Sequence, residues 1–306
     1  MSPYRILSLD GGGIRGVLTA TLLERLEEAQ PGLLAQVDLF AGTSTGGLLA
    51  LGLASGLSPA EARALYEEKG ALIFEDSLWD DVRDLGMMLG AQYSNENLKQ
   101  ALIEQFGDQT LGQLRKKVLI SSFDLDNEAP EPGALRTWKP KFFHNYPGPG
   151  SDAGEKVVDV ALRTSAAPVY FPIYQGYADG GVVANNPSMC ALAQALDQDT
   201  GGQSLDEVVL LSLSTGQSPR FLEVEDPDWG WLKWAKGLRL VSVMLDGNVG
   251  LAHYQCSRVL GERYHRLDPR LPRPVELDDI DEIPLLKEMA GQADLAEAIA
   301  WLEAHF

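Results

Sequence analysis

The chain is 306 residues long, 45% hydrophobic and 23% charged, the balance of a globular protein with enough length for one large core or two small ones. Its formal net charge of −19 disfavours nucleic acid as a partner and provides no general attraction to anionic membranes. Two widely separated cysteines, Cys190 and Cys256, make neither a disulfide framework nor a metal-type spacing. No apolar run is long enough to span a bilayer, and the first strand begins too early to leave room for a secretory signal, so a reducing, cytoplasmic setting is expected.

Tyr4-Arg5-Ile6-Leu7-Ser8-Leu9-Asp10 reads as an apolar strand of a parallel sheet. Gly11-Gly12-Gly13-Ile14-Arg15-Gly16 follows, then a helix over 17–29 with Leu18, Leu22, Leu26 and Ala29 on one face. Glycines between a strand and a helix let backbone N–H groups converge on an anion. Three chemistries compete for this loop. It fits the dinucleotide fingerprint, but no acidic residue ends a second strand at the required distance. It is not a Walker loop, because no Gly-Lys-Ser/Thr follows. The third is an oxyanion hole, with the N–H groups of Gly11, Gly12 and Gly13 aimed at an acyl oxygen and Arg15 adding charge or bracing the loop.

A second strand–loop–helix unit follows. Leu39, Phe40 and Ala41 end a short apolar strand, Gly42-Thr43-Ser44-Thr45-Gly46 makes the turn, and a leucine-rich helix closes near Gly56. G-x-S-x-G is the spacing of a nucleophile elbow, with Ser44 at the tip and Gly42 and Gly46 removing side chains that would collide with neighbouring backbone. A plain strand-to-helix turn has the same composition. Ser58-Pro59-Ala60-Glu61 is a capping box that starts a helix. Residues 75–93 carry no clear period and read as a surface connection near the site mouth. Ser94 caps a further helix. Residues 117–124 form a strand, 136–146 an extended neighbour, and the stretch around Pro130 and Pro132 a loop between them. A helix over 157–166 ends at Pro168, extended structure returns over 171–178, Asp179-Gly180-Gly181 follows, Pro187 opens a helix, and 208–213 is another buried strand. Strands alternating with helices predict an α/β, three-layer α/β/α fold with a mainly parallel central sheet.

A serine nucleophile needs a base. Ser44, Asp179 and His253 stand in the order of an α/β-hydrolase triad, but His253 lies in a helical stretch with no loop signal. Asp179, followed by two glycines, offers a carboxylate on a turn that a substrate can approach; an ordinary Asp-Gly turn looks the same. Burial beside an acyl chain would raise its basicity.

These pieces in this order resemble the patatin-like phospholipase family. The resemblance rests on Asp10-Gly11-Gly12-Gly13-Ile14-Arg15-Gly16, Gly42-Thr43-Ser44-Thr45-Gly46 and Asp179-Gly180-Gly181, supported by 164–172, Asn185-Asn186-Pro187 and 211–216. It implies an acyl hydrolase of lipid esters with no metal or organic cofactor. It implies Ser44 as nucleophile, Asp179 as base, Gly11, Gly12 and Gly13 as oxyanion hole, and Arg15, Gly42, Gly46 and Gly180 in support. The implied partners are a lipid substrate and, transiently, a membrane or micelle surface.

The resemblance covers a catalytic region over 4–216, leaving 217–306 as a mostly helical region packed on it. Within the latter, 228–245 interleaves Trp229, Trp231 and Trp234 with Lys233, Lys236 and Arg239, the pattern of an amphipathic lid or interfacial helix, or of a helix packed on the core. Residues 277–282 read as a solvated acidic loop and 293–304 as a closing helix. The functional expectation is a phospholipase A-like hydrolase. A general carboxylesterase or acyltransferase on the same residues, a non-catalytic lipid-binding protein and a dinucleotide-binding oxidoreductase are the competitors.

Overall fold

The computed structural model describes residues 3–74, 91–128, 133–148, 150–224, 228–230, 233–234, 236 and 239–306. The expectations for 75–90, Pro130, Pro132 and Trp231 lie outside these residues. Strand β1 (Tyr4–Leu9) leads into α1 (Gly16–Ala29), the one-turn α2 (Leu33–Gln36), β2 (Leu39–Thr43), α3 (Thr45–Ser55) and α4 (Pro59–Phe74). Then come α5 (Glu96–Phe106), β3 (Lys117–Asp124), β4 (Lys139–His144), α6 (Val157–Thr164), β5 (Tyr177–Asp179), α7 (Gly181–Ala184) and α8 (Ser188–Leu196). The chain closes with β6 (Val208–Leu213), α9 (Arg239–Leu260), β7 (Tyr264–Leu267), α10 (Ile283–Gln292) and α11 (Ala296–His305).

The strands form one sheet in the order β4-β3-β2-β1-β6-β7, with β5 also pairing to β3. All neighbours are parallel except β4 and β5, which run antiparallel to β3. The period of two along each central strand divides its side chains between two cores. Leu7 and Leu9 of β1, Phe40 of β2, Ile120 of β3 and Leu211 of β6 join the helices α1, α3, α10 and α11 on one face. Ile6, Leu39, Leu119 and Leu210 meet α8 and the end of α9 on the other. This is the expected three-layer α/β arrangement, and burying both faces explains why these strands read as unbroken apolar runs. Each fully buried Leu or Ile contributes roughly 1.5–3 kcal/mol relative to exposure. Among the described residues, no helix is long and apolar enough to cross a membrane.

The structure corrects the element expectations in three places. Strand β7 has no counterpart in the sequence reading, because Tyr264-His265-Arg266-Leu267 is short and carries an arginine at an inward position. That arginine pairs with Asp10 at 2.6 Å, with side-chain exposures of 5% and 3%, so the strand is buried through an ion pair instead of an apolar alternation. Residues after 216 therefore share the sheet and the core of the earlier ones. The extended segment expected over 171–178 shrinks to β5, because Tyr174 and Tyr177 exchange backbone hydrogen bonds of 3.1 and 3.0 Å and close a turn. The stretch expected as a solvated loop at 277–282 is anchored: the Leu277 carbonyl accepts the Ile14 N–H at 2.7 Å.

Removing one partner of a buried ion pair strands the other charge. Arg266→Ala should lower the unfolding free energy by about 3–5 kcal/mol, read by urea denaturation of the full chain.

Candidate active site

Strand β2 ends at Thr43, and Ser44 is forced into a left-handed conformation, φ 52° and ψ −124°, before α3 begins. The turn is this tight because nothing occupies the flanking positions. A Cβ on Gly42 would sit 2.2 Å from the Gly46 carbonyl oxygen, and one on Gly46 would sit 2.2 Å from that of Leu9. Such a backbone costs on the order of 1–3 kcal/mol and persists only where its surroundings hold it. Here the Ser44 N–H donates to Thr164 Oγ1 at 2.9 Å, and that hydroxyl donates to the Ser121 carbonyl at 2.6 Å, fastening the elbow to β3. The N-terminus of α3 points at Ser44, where its dipole favours developing negative charge.

Asp179 is delivered by sheet register. Thr43 of β2 pairs with Ser121 of β3, and the next residue of β3, Ser122, pairs with Asp179 of β5. Strand β5 thus occupies the edge of β3 that β2 leaves at the elbow. Gly180 is pressed against β3, where a Cβ would come 2.3 Å from the Ser121 carbonyl oxygen. The Asp179 carboxyl accepts the Gly181 N–H at 2.7 Å and lines the same cavity as Ser44, close enough for Ser44 to act on its titration. Burial pushes its pKa up to about 6, against the lowering effect of Ser44 and of the Gly181 N–H. Among the described residues, no histidine lines the cavity that holds Ser44 and Asp179. His253 lies on an exposed face of α9, its Nδ1 3.2 Å from the Tyr264 hydroxyl.

The glycine loop runs beside the elbow, since β1 and β2 pair in parallel with Leu9 opposite Gly42. Its three glycines are not equivalent. The Gly11 N–H donates to the Asn185 carbonyl at 2.9 Å and is already used. The N–H groups of Gly12 and Gly13 have no acceptor among the described residues. Gly13 has φ +58°, and a Cβ there would lie 2.1 Å from the Leu277 carbonyl oxygen, so the loop tolerates no side chain at this point. Arg15 is buried, and its Nε and Nη1 reach the carbonyls of Gly12 at 3.3 Å and Gly216 at 3.5 Å. The Gly12 carbonyl and the Gly13 N–H belong to one trans peptide and point in opposite directions. By holding the carbonyl, Arg15 orients the donor.

Residues given no role of their own in the sequence complete the frame. Asn248, midway along α9, receives the Asn185 N–H on Oδ1 at 2.7 Å and donates Nδ2 to the Gly181 carbonyl at 2.8 Å. It therefore clips both ends of α7, the turn that carries Gly181 against Asp179 and Asn185 against Gly11. Thr164 and Arg266 act on Ser44 and Asp10 in the same way. None of these partners is near its target in sequence, which is why pattern reading passes over them.

The cavity encloses about 500 Å³. The α3, α4 and α5 side is mostly apolar, with Leu49, Leu65, Ile73, Leu98, Leu102 and Phe106 beside Lys69 and Gln105. The other wall includes Val241, Met244 and Leu245 of α9 and four charged side chains, Arg15, Arg220, Asp246 and Glu276. The arrangement can accommodate an aliphatic chain with its polar end at Ser44.

Asn248→Ala should leave the Asn185 N–H and the Gly181 carbonyl without partners. A loss of about 1–3 kcal/mol is expected in urea denaturation, with faster amide exchange at Gly181 and Asn185 than at β1 or β6.

The patatin-like phospholipase family pattern matches residues 7–192. Protein teg of Priestia megaterium is 32% identical over the whole of both chains. A cGAMP-activated phospholipase of Pseudomonas aeruginosa is 35% identical, covering 87% of this chain and 78% of its own. Patatin-12 of Solanum tuberosum is 31% identical, covering 85% and 73%. A family match over well more than half of the chain, with the motif residues gathered around one cavity, establishes that the chain belongs to the patatin-like phospholipase family.

Proposed function

We propose that the chain hydrolyses ester-linked fatty acids from lipids, phospholipase A fashion, with Ser44 as nucleophile and Asp179 as base. The observation that carries this reading is the placement of Ser44 and a buried Asp179, whose pKa burial raises to about 6, side by side at the wall of one apolar cavity. A carboxylate with ordinary basicity is a weak acceptor of a hydroxyl proton; desolvation makes Asp179 a better one. In acylation, Ser44 Oγ attacks the ester carbonyl while its proton passes to Asp179. The carbonyl oxygen takes up negative charge facing the N–H groups of Gly12 and Gly13, with Gly11 serving to hold the loop on Asn185. Asp179 returns the proton to the departing alcohol oxygen. Water then repeats the sequence on the acyl-enzyme, and the fatty acid leaves. No metal or organic cofactor has a role in these steps.

The same reading gives the segment 228–245 an interfacial role in a cytoplasmic enzyme that visits lipid surfaces. Trp229 and Trp234 pack edge to face at 5.2 Å with Arg239 over Trp229, and the first turns of α9 expose Leu240, Val243 and Met244 beside the cavity.

Ser44→Ala and Asp179→Asn should each lower kcat for a medium-chain p-nitrophenyl ester and for phospholipid by about a thousandfold or more, with the fold intact by circular dichroism. An active Asp179→Asn variant would remove Asp179 as base. Because Asp179 works only when deprotonated, kcat/KM should rise with pH and level off above about 6. The linked stability effect has the opposite sign. A folded-state pKa raised from 3.8 to about 6 means that Asp179 favours folding below pH 3.8 and loses that contribution as pH climbs through 6. At neutral pH, Asp179→Asn should therefore melt above wild type. For the interfacial segment, the double variant Trp229→Ala/Trp234→Ala should float with zwitterionic vesicles several-fold less than wild type; equal flotation of the two folded proteins would exclude the role.

A further inference from the structure

Besides Asp179 and Lys69, four charged side chains line the cavity close to one another, Arg15, Arg220, Asp246 and Glu276, and the proposed chemistry uses only part of one of them. Arg15 is committed to the glycine loop, yet it lines the cavity, and Arg220, Asp246 and Glu276 all act electrostatically on it. Arg220 bonds Glu276 at 2.8 Å, with side-chain exposures of 27% and 58%. Asp246 is exposed and has no hydrogen bond or ion pair among the described residues. These two guanidiniums and two carboxylates sum to zero charge in a chain of net charge −19, and the cavity's remaining charged side chains, Lys69 of α4 and Asp179, are one of each sign.

The positions of these charges matter as much as their number. The mostly apolar side of the cavity, toward α4 and α5, is where an acyl chain belongs. With the ester carbonyl at Ser44 and its oxygen facing Gly12 and Gly13, the alcohol portion of the ester has to leave on the other side. That side is bounded by Arg15, by Glu276 next to the Leu277 carbonyl that touches Gly13, and by Asp246 on α9. A simple aliphatic alcohol would offer nothing to Asp246 or to the Arg220–Glu276 pair.

We propose that this charged cluster is a headgroup subsite for zwitterionic glycerophospholipids, in which Arg220 takes the phosphate and Asp246 with Glu276 takes the ammonium. This rests on the hydrolase reading above. A guanidinium pairs with phosphate through two parallel hydrogen bonds, whereas an exposed ion pair such as Arg220–Glu276 is weak, so the phosphate displaces Glu276. The displaced carboxylate is then free beside Asp246, and two carboxylates make an ammonium site. An anionic headgroup fulfils the first half of this recognition and meets repulsion in the second. A neutral diacylglycerol fulfils neither.

Binding is measured in the Ser44→Ala protein, so that ligand is not consumed. The probes are monomeric dihexanoyl phosphatidylethanolamine, dihexanoyl phosphatidylglycerol and dihexanoylglycerol, with glycerophosphoethanolamine as the chainless control, all by calorimetry. Phosphatidylethanolamine should bind about tenfold more tightly than phosphatidylglycerol, and both more tightly than dihexanoylglycerol. Adding Arg220→Gln should weaken both phospholipids by about tenfold; adding Asp246→Asn should erase the preference between them. Equal affinity for all three lipids, or a preference that Asp246→Asn leaves in place, overturns the subsite. A chainless probe that binds as tightly as the lipid overturns it too, in favour of a soluble phosphate ester. Turnover of a p-nitrophenyl ester by wild type separates the two readings. Turnover without headgroup selectivity removes the subsite alone, and selectivity without turnover removes the hydrolase and keeps the subsite.

Discussion

The molecule turns on one edge of one strand. Strand β3 is longer than its parallel neighbour β2, and where β2 ends at Thr43 three residues of β3 are left with an open edge. An open edge in a buried sheet leaves backbone donors and acceptors without partners, which is costly. Strand β5 fills it from the opposite direction, and the first paired position beyond the elbow belongs to Asp179. The need to satisfy backbone hydrogen bonds at the end of β2 thus brings a carboxylate next to the residue that leaves the sheet there, Ser44. The juxtaposition depends on ladder geometry, not on an attraction between the two side chains.

That geometry is held against opposing costs. Ser44 has a strained backbone, Asp179 is a carboxyl held among apolar groups, and Arg15 is buried with its pKa lowered first by burial and then by Arg220. Each is offset by specific neighbours. Thr164 holds the Ser44 amide, Asn248 holds the turn after Asp179, and the carbonyls of Gly12 and Gly216 hold Arg15. Burial raises the Asp10 pKa even with Arg266 beside it, so the first strand carries a second expensive group directly before the glycine loop. The concentration of unfavourable groups around one cavity is the pattern expected where structure serves chemistry.

Helix α9 connects this frame to the surface. Its last turns are core, with Ala252, Cys256 and Leu260 buried, while its first turns form cavity wall and expose apolar side chains. Asn248 lies between the two regimes and bonds the turn that touches both Asp179 and the glycine loop. A displacement of the exposed end would therefore be passed to Asp179 and to the glycine loop through two hydrogen bonds.

Much of this was legible in the sequence, for a local reason. Alternation of apolar strands with helices follows from period, and the elbow glycines at 42 and 46 follow from collisions within a few residues of Ser44. A capping box at Ser58 is equally local and is seen as written, with Glu61 bonding back to the Ser58 N–H and hydroxyl. Family resemblance singled out Ser44, Asp179 and the glycine loop, and these residues do meet at one cavity. What only the tertiary structure decided has partners far apart in the chain. The inequality of the three glycines depends on Asn185, the burial of Asp10 on Arg266, and the edge vacated for Asp179 on the relative lengths of β2 and β3. Strand β7 escaped detection because its inward position carries charge, a choice that makes sense only once Asp10 is known to face it. Sequence determines which backbone shapes are allowed nearby; which donor is spent, which carboxyl is desolvated and which edge is left open are settled when distant strands come into register.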